Sequence, residues 1–176
     1  ADSVAPILAK YLGALPVSKK MEKYNVIDRK LTKGEHTCIF EKEQDTPDAT
    51  VNFIYHAPVA ETMRNDIMVD MLEQSMSMLY TETVREDEGG AYGVPVNASL
   101  TDYPEEIATV QIKLPTAPEK IDRMMKVVYD GIEKMCAEGP SEDYLQKIKE
   151  YMVRSHAENL KKNGYWMNQL YIRTRY

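Results

Sequence analysis

The hydrophobic residues of this chain recur with two different periods, which predict helices in some segments and strands in others. In five segments the apolar positions fall three or four residues apart, the spacing of a helix with one buried face. The predicted helices are 4–12, 60–83, 118–138, 142–160 and a last segment that begins at Tyr165.

Four further segments are extended in pattern and predict strands. In ATVNFIYHA the residues Val51, Phe53 and Tyr55 fall on one face, as in a strand that buries one side. The turn sequences EQDTPD and TDYPEE each separate two of these segments, so we expect two hairpins. The predicted strands are His36–Lys42, Ala49–His56, Ala91–Ser99 and Ile107–Leu114.

Residues that start and stop helices support these boundaries. Thr116 and Glu119 have the spacing of a capping box, in which each side chain bonds to the other residue's backbone amide. Gly139 and Pro140 end that helix, and Ser141 is placed to cap the next one.

The order of the elements predicts the fold class. Strands joined by short turns and helices gathered towards the end of the chain indicate an α+β fold. We therefore expect a mostly antiparallel sheet with helices packed on one face. The charged, weakly periodic stretch 17–34 reads as a linker, which separates residues 1–16 from a domain over 35–176.

Length and charge narrow the classes of function. The 176 residues suit one domain, or one domain plus a fragment of a neighbouring domain. The formal net charge of −6, with acidic and basic residues interspersed, argues against a nucleic-acid surface. No apolar run approaches the ~20 residues that span a bilayer. The cellular compartment stays open at this stage.

Neither the cysteines nor the histidines form a recognisable metal or catalytic motif. Cys38 and Cys136 are far apart, so we expect two free, buried or half-buried thiols, with a single disulfide left open. His36, His56 and His156 each stand alone in their segments, and zinc needs three or four converging ligands. We expect no metal site within this chain. Nucleophile-elbow and phosphate-binding glycine motifs are missing as well.

One group of residues is a candidate binding or catalytic site, and it lies where the long helix meets the next strand. In VREDEGGAYGV, Arg85 falls in the last helical turn and Tyr92 begins the strand, with Gly89 and Gly90 between them. A guanidinium and a phenol on rigid elements suit binding of a peptide carbonyl or its oxyanion. A simpler interpretation also stands, because arginine at a helix end and tyrosine in a strand are both common.

The motif VREDEGGAYGV, with the helix before it, resembles the C-terminal, non-metal repeat of the insulinase/pitrilysin family of zinc metallopeptidases. Three other segments agree in the same order: YLGALP, EGPSEDYLQKIKEYMVRS and AENLKKNGYWMNQL. The similarity covers nearly the whole chain and is strongest to the bacterial, periplasmic type. It implies a processing-peptidase-like fold, with residues 1–16 as the last helix of the preceding domain and the repeat incomplete at its C-terminus.

The resemblance also implies functional roles. In that family an N-terminal half holds zinc through H-x-x-E-H, and the C-terminal half supplies an arginine and a tyrosine seven positions apart. Arg85 and Tyr92 match that pair, with Arg85 binding the substrate backbone and Tyr92 stabilising the oxyanion. Gly89, Gly90 and Ala91 would contact the substrate.

The same resemblance implies a cofactor and two partners. Zinc would reside in the full-length protein but not in this chain, which would be inactive alone. The partners would be the N-terminal half and an unfolded or short peptide. The periplasm is favoured over the cytoplasm.

Two alternatives remain open. A zinc-less relative of the same fold could serve as a non-catalytic subunit or peptide-binding scaffold. An unrelated α+β binding module would be favoured if Arg85 and Tyr92 were buried away from any cleft.

Overall fold

The computed structural model describes residues 3–16, 32–43, 45, 47–88 and 93–175, and the chain divides into two compact units, Ala1–Ile39 and Phe40–Tyr176. In the first unit a short helix, α1 (Ala5–Tyr11), confirms the helix predicted near the start. Residues 17–31 of the predicted linker lie outside the described part. The division into 1–16, 17–34 and 35–176 therefore stays a prediction.

The second unit has the predicted α+β architecture. A three-stranded antiparallel sheet is combined with helices that follow one another towards the end of the chain. A single 3-10 turn at Pro118–Lys120 precedes α3. The elements are β1 (Ala49–Pro58), α2 (Met63–Glu88), β2 (Val96–Thr101), β3 (Ile107–Thr116), α3 (Ile121–Glu138), α4 (Glu142–Asn159) and α5 (Asn163–Arg175).

The sheet has the order β1-β3-β2, with β3 in the centre. Ile112 of β3 lies between Phe53 of β1 and Val96 of β2, and all three side chains are buried in one hydrophobic core. Because side chains alternate along a strand, this register turns one face of the whole sheet towards the helices. The predicted β2–β3 hairpin is confirmed.

The predicted strand His36–Lys42 is wrong. Residues 35–43 have no regular secondary structure, and the side chains of Ile39 and Phe40 are exposed. Alternating apolar residues favour a strand only where one face can be buried against a neighbour. The strand that pairs with β1 is instead β3, which is distant in sequence.

Helices α2 and α3 cover the buried face of the sheet and are joined through Tyr80. The Tyr80 ring is fully buried, and its hydroxyl donates a hydrogen bond of 2.9 Å to the backbone carbonyl of Val128 in α3. Burial, together with the nearby Tyr55, raises the pKa of the Tyr80 hydroxyl, so it stays a donor. The ring lies against Gly131, which has no side chain to obstruct it.

The apolar spacing of α2 predicts one buried stripe that includes Met63, Ile67, Met71, Leu72 and Leu79, and this is only partly confirmed. Leu79 is buried and Leu72 packs against the core, but Met63 and Ile67 are exposed. The core members of α2 are Met76, Tyr80 and Val84, in the second half of the helix. The apolar spacing predicted the helix correctly, but it could not show that only one half of it lies over the sheet.

Two of the predicted helix boundaries are confirmed and one is wrong. Ser141 caps α4, accepting a hydrogen bond of 3.2 Å from the amide of Tyr144, and Gly139 ends α3 with a φ of 71°. The capping box does not form, because Thr116 is buried as the last residue of β3 and Ala117 precedes the 3-10 turn without a side-chain cap.

Both cysteines are free, as expected, but they are exposed rather than buried. Among the described residues, none of the helices is long and apolar enough to cross a membrane.

Replacing Gly131 by alanine is expected to destabilise the second unit. The new Cβ would lie 2.6 Å from Cε1 of Tyr80, a contact the buried, hydrogen-bonded ring cannot easily relieve. Overpacking of about 1–3 kcal/mol outweighs a gain of about 1 kcal/mol in helix propensity, so we expect a net loss in urea unfolding. Gly164→Ala, where a Cβ meets no atom within 4 Å, is the control and should not destabilise. Equal effects of the two changes would contradict this packing.

Candidate functional site

The candidate site lies where α2 ends and the chain returns towards β2. Helix α2 continues to Glu88, so the backbone of Arg85 lies in its last turn, as predicted. The side chain of Arg85 and the residues Gly89, Gly90, Ala91 and Tyr92 lie outside the described part. The pairing of Arg85 with Tyr92 therefore stays a prediction. The described residues show how the chain is anchored before and after the segment that carries this pair.

Two buried valines flank the segment that carries the predicted pair. Val84, directly before Arg85, is 1% exposed, and Val94, two residues after Tyr92, is 5% exposed. Both belong to the same hydrophobic core. The end of α2 and the chain leading into β2 are therefore both anchored in that core.

The chain after the site is also fixed by backbone pairing. The amide of Lys113 in β3 donates a hydrogen bond of 2.9 Å to the carbonyl of Pro95, which extends the β2–β3 ladder towards the site. Because alternate residues of a strand bond to the same neighbour, the amide of Ala98 in β2 faces away from β3.

This amide of Ala98 instead donates a hydrogen bond to a side chain of α2. Oε2 of Glu73 accepts a hydrogen bond of 2.7 Å from the amide of Ala98. The bond joins the helix and the strand that lead into and out of the candidate site, and it occupies a donor on the sheet edge. A hydrogen bond to a charged carboxylate is stronger than a neutral one.

Acidic side chains lie one or two helical turns apart along this side of α2. The pKa of the Asp70 carboxyl is raised above its ordinary 3.8. Partial burial is the largest cause, and the negative charges of the nearby Asp66 and Glu73 add to it. The ionised form of Asp70 is therefore disfavoured by folding.

On another side of its C-terminal half, α2 borders an open groove of about 770 Å³ formed with the end of α3 and the start of α4. Its lining includes Leu79 and Met135. The hydroxyl of Tyr144 donates a hydrogen bond to the carboxylate of Glu82 there. Sequence reasoning missed this hydrogen bond because its two residues lie 62 positions apart in the chain.

The described residues hold no group of three or more His, Cys, Asp or Glu side chains that could bind a metal ion. His36 contacts the carbonyl of Lys33 at 2.9 Å, and the ring of His156 packs edge-on against Tyr165. These residues do not fit a zinc ion.

Fold and site together define an α+β domain whose candidate site is a helix–strand junction. Residues 1–152 match the model of the Peptidase M16 inactive domain. The chain therefore belongs to the M16 peptidase family, as its inactive C-terminal domain, and the sequence-based assignment is confirmed.

Solved structures agree with this fold. The periplasmic protease PqqL from Escherichia coli is similar over 95% of this chain, with a TM-score of 0.68 and 20% identity. A mutant of the ferredoxin protease FusC, in complex with Arabidopsis ferredoxin, is similar over 67% of the chain, with a TM-score of 0.59 and 16% identity. At these identities the likeness concerns the fold.

The present chain spans only 18% of the length of the PqqL chain and 13% of the FusC chain. Comparison with curated proteins gave no match.

Asp70→Asn is expected to stabilise the domain at neutral pH. Because folding raises the pKa of Asp70, ionisation of this carboxyl lowers the free energy of unfolding of the domain. This loss of stability is absent below about pH 3.8, where Asp70 is protonated in both states, and complete above the raised pKa. Removing the like-charge contacts should add a few tenths of a kcal/mol at pH 7, and the gain should vanish at pH 3.

Thermal unfolding at the two pH values measures this difference. Asp102→Asn, in the loop between β2 and β3, is the control and should show no such gain. A stabilisation by Asp70→Asn that is equal at pH 3 and pH 7 would contradict the charge argument.

Proposed function

We propose that this chain is the substrate-binding C-terminal domain of a zinc-dependent metalloendopeptidase that cleaves oligopeptides, and that it is not catalytic alone. The observation that carries the proposal is the family match over residues 1–152, which includes the whole junction between α2 and β2. Arg85 and Tyr92 lie in that junction, one on each side of the two glycines.

Arg85 is assigned to the peptide backbone. Its guanidinium is permanently charged and presents a fixed fork of N–H donors, which suits carbonyl oxygens. A position in the last turn of a helix that is itself anchored in the core supports this role, because a donor on a rigid element is preorganised for its acceptor.

Tyr92 is assigned to the oxyanion that forms when the scissile carbonyl is attacked. A phenol donates one hydrogen bond and is neutral at physiological pH, so its contribution grows as negative charge develops on the oxygen. Gly89, Gly90 and Ala91 would let the substrate approach the backbone closely, because they carry at most a methyl group.

Zinc, in this proposal, belongs to the N-terminal half of the same polypeptide. The described residues of this chain offer no ligand cluster for the metal, and the two roles assigned to Arg85 and Tyr92 require none. The partners are therefore that half and an unfolded or short peptide. The periplasmic relative supports, by analogy, a periplasmic setting.

A non-catalytic scaffold of the same fold is the second candidate. The family model describes the domain as inactive, a property that a zinc-less peptide-binding subunit would share. The sequence of the parent polypeptide separates the two candidates: H-x-x-E-H in the N-terminal half favours the enzyme, and its loss favours the scaffold.

Adding the N-terminal half is expected to produce peptidase activity that this chain lacks. The two purified parts are mixed with an internally quenched fluorescent oligopeptide, and cleavage is followed by fluorescence. The control is an N-terminal half in which the first histidine of H-x-x-E-H is changed to alanine. Cleavage by the C-terminal chain alone would contradict the division of roles.

In the full-length protein, Tyr92→Phe is expected to lower kcat by about 10²–10³, the cost of removing one oxyanion donor. Thermal stability should change little, because the ring is kept. Tyr151→Phe, at an exposed position of α4, is the matched control and should leave kcat unchanged. If Tyr92→Phe behaves like the control, Tyr92 has no part in the mechanism.

A further inference from the structure

We infer that the outer edge of β1, the side of this strand that faces away from β3, is a binding site for an extended peptide segment whose alternate side chains are apolar. The inference goes beyond the proposed function, because it uses neither Arg85 nor Tyr92 and holds whether or not the parent protein cleaves peptides. β1 lies at the edge of the sheet opposite to β2, the strand that follows the candidate site.

The hydrogen-bond pattern shows which backbone groups of β1 face outwards. The amide of Val59 donates a hydrogen bond of 3.2 Å to the carbonyl of Glu106, which continues the register of the β1–β3 ladder. In an antiparallel ladder, residues that bond to the neighbouring strand alternate with residues that do not. From Val59 backwards, every second residue of β1 therefore bonds to β3. The backbone N–H and C=O groups of Thr50, Asn52 and Ile54 point away from β3.

These outward groups are open in the described part of the chain. Thr50, Asn52 and Ile54 are exposed, and no described residue forms a hydrogen bond with their outward backbone groups. The opposite edge of the sheet differs, because Glu73 accepts a hydrogen bond from the outward amide of Ala98. Sheet edges are commonly protected by lysine, proline or a bulge. Residues 49–57 of β1 contain neither lysine nor proline, and their register with β3 is unbroken.

On the side that faces the helices, apolar surface beside β1 is left to bury. The ring of Tyr129 in α3 packs edge-on against Phe53 of β1, with ring centroids 5.4 Å apart, but Tyr129 is still 46% exposed. Val51 and Met125 pack against the core and are only partly buried. A strand added beside β1 would turn every second side chain towards α3, so apolar residues at those positions suit the site.

The chemistry of this edge favours a peptide as its occupant. Residues 49–57 carry no lysine, arginine, aspartate or glutamate, so recognition depends on backbone hydrogen bonds and apolar contacts. A folded partner would need an open sheet edge of its own, whereas an unfolded or short peptide presents unpaired backbone groups along its whole length. The occupant assigned to the edge is therefore an unfolded or short peptide.

The test measures, by fluorescence anisotropy, how a short labelled peptide of alternating valine and threonine binds to the 176-residue chain. Antiparallel pairing is the more stable, and residues directly opposite each other share a face of the sheet. With the valines turned towards α3, the threonine amides bond to β1. Methylating the threonine amides is expected to weaken binding at least about tenfold, and methylating the valine amides less than about twofold. Equal affinities of the two methylated peptides, or no binding of the parent peptide, would overturn the inference.

Variants of the chain locate the binding at β1. Ile54→Pro removes an outward amide but no bond to β3, so it should weaken binding at least about tenfold. Tyr129→Ala should weaken binding about three- to tenfold, because it removes apolar surface beside the edge. Tyr151→Ala, in α4 and 52% exposed, is the matched control and should bind like the unaltered chain. If Ile54→Pro does not fold, the two tyrosine variants decide, and equal affinities of these two would contradict the site.

Two other occupants of this edge would give different results. Pairing of β1 with β1 of a second copy would make the unaltered chain a dimer in sedimentation equilibrium and Ile54→Pro a monomer. Pairing with residues 36–42 of the same chain would allow the peptide to bind only after a change such as Phe40→Ser. Either result would overturn the peptide as occupant. The readout is binding, so a failure here leaves the roles proposed for Arg85 and Tyr92 untouched.

Discussion

The packing of the second half of α2 and of α3 onto one face of the sheet is the constraint on which the rest of the second unit depends. Tyr80 makes this packing specific, because its ring needs the space that Gly131 leaves and its hydroxyl needs the carbonyl of Val128. An apolar ring alone could slide along the helix interface, but a buried hydroxyl without its acceptor would be costly. The depth and rotation of α2 over the sheet follow from this contact.

The position of α2 in turn determines where the candidate site lies. With Tyr80 fixed, Val84 reaches the core one turn later, and the helix continues for four more residues to Glu88. Val94 reaches the same core from the strand side, and Glu73 ties the helix to β2 through the amide of Ala98. The glycine-containing segment that carries the predicted pair is thus flanked on both sides by residues of one core.

The sequence predicted the elements whose signals are local, but not the features that depend on distant partners. The helix over Ile121–Glu138 was correct because its apolar stripe, Gly139 and the cap at Ser141 all lie within it or beside it. The strand His36–Lys42 was wrong because its pattern could not show whether a neighbour would bury it. The capping box does not form because β3 continues to Thr116. The length of β3 depends on its pairing with β1, which is distant in sequence. For the site, the motif located the junction, whereas its anchors are long-range contacts.

Under the proposed function this domain is inactive alone, and the described surroundings of the junction suggest a physical reason for that. Gly93 and Pro95, which follow the predicted pair in the sequence, are exposed. Under the proposed function, a hydrogen-bond donor in such surroundings would compete with water. Hydrogen bonds to a developing oxyanion become strong when water is excluded and the local dielectric is low. Under the proposed function, the N-terminal half of the polypeptide would supply that enclosure as well as the metal. In that case the part of this chain that the core holds, the end of α2 and the start of β2, would bring its share of the site to the other half already folded.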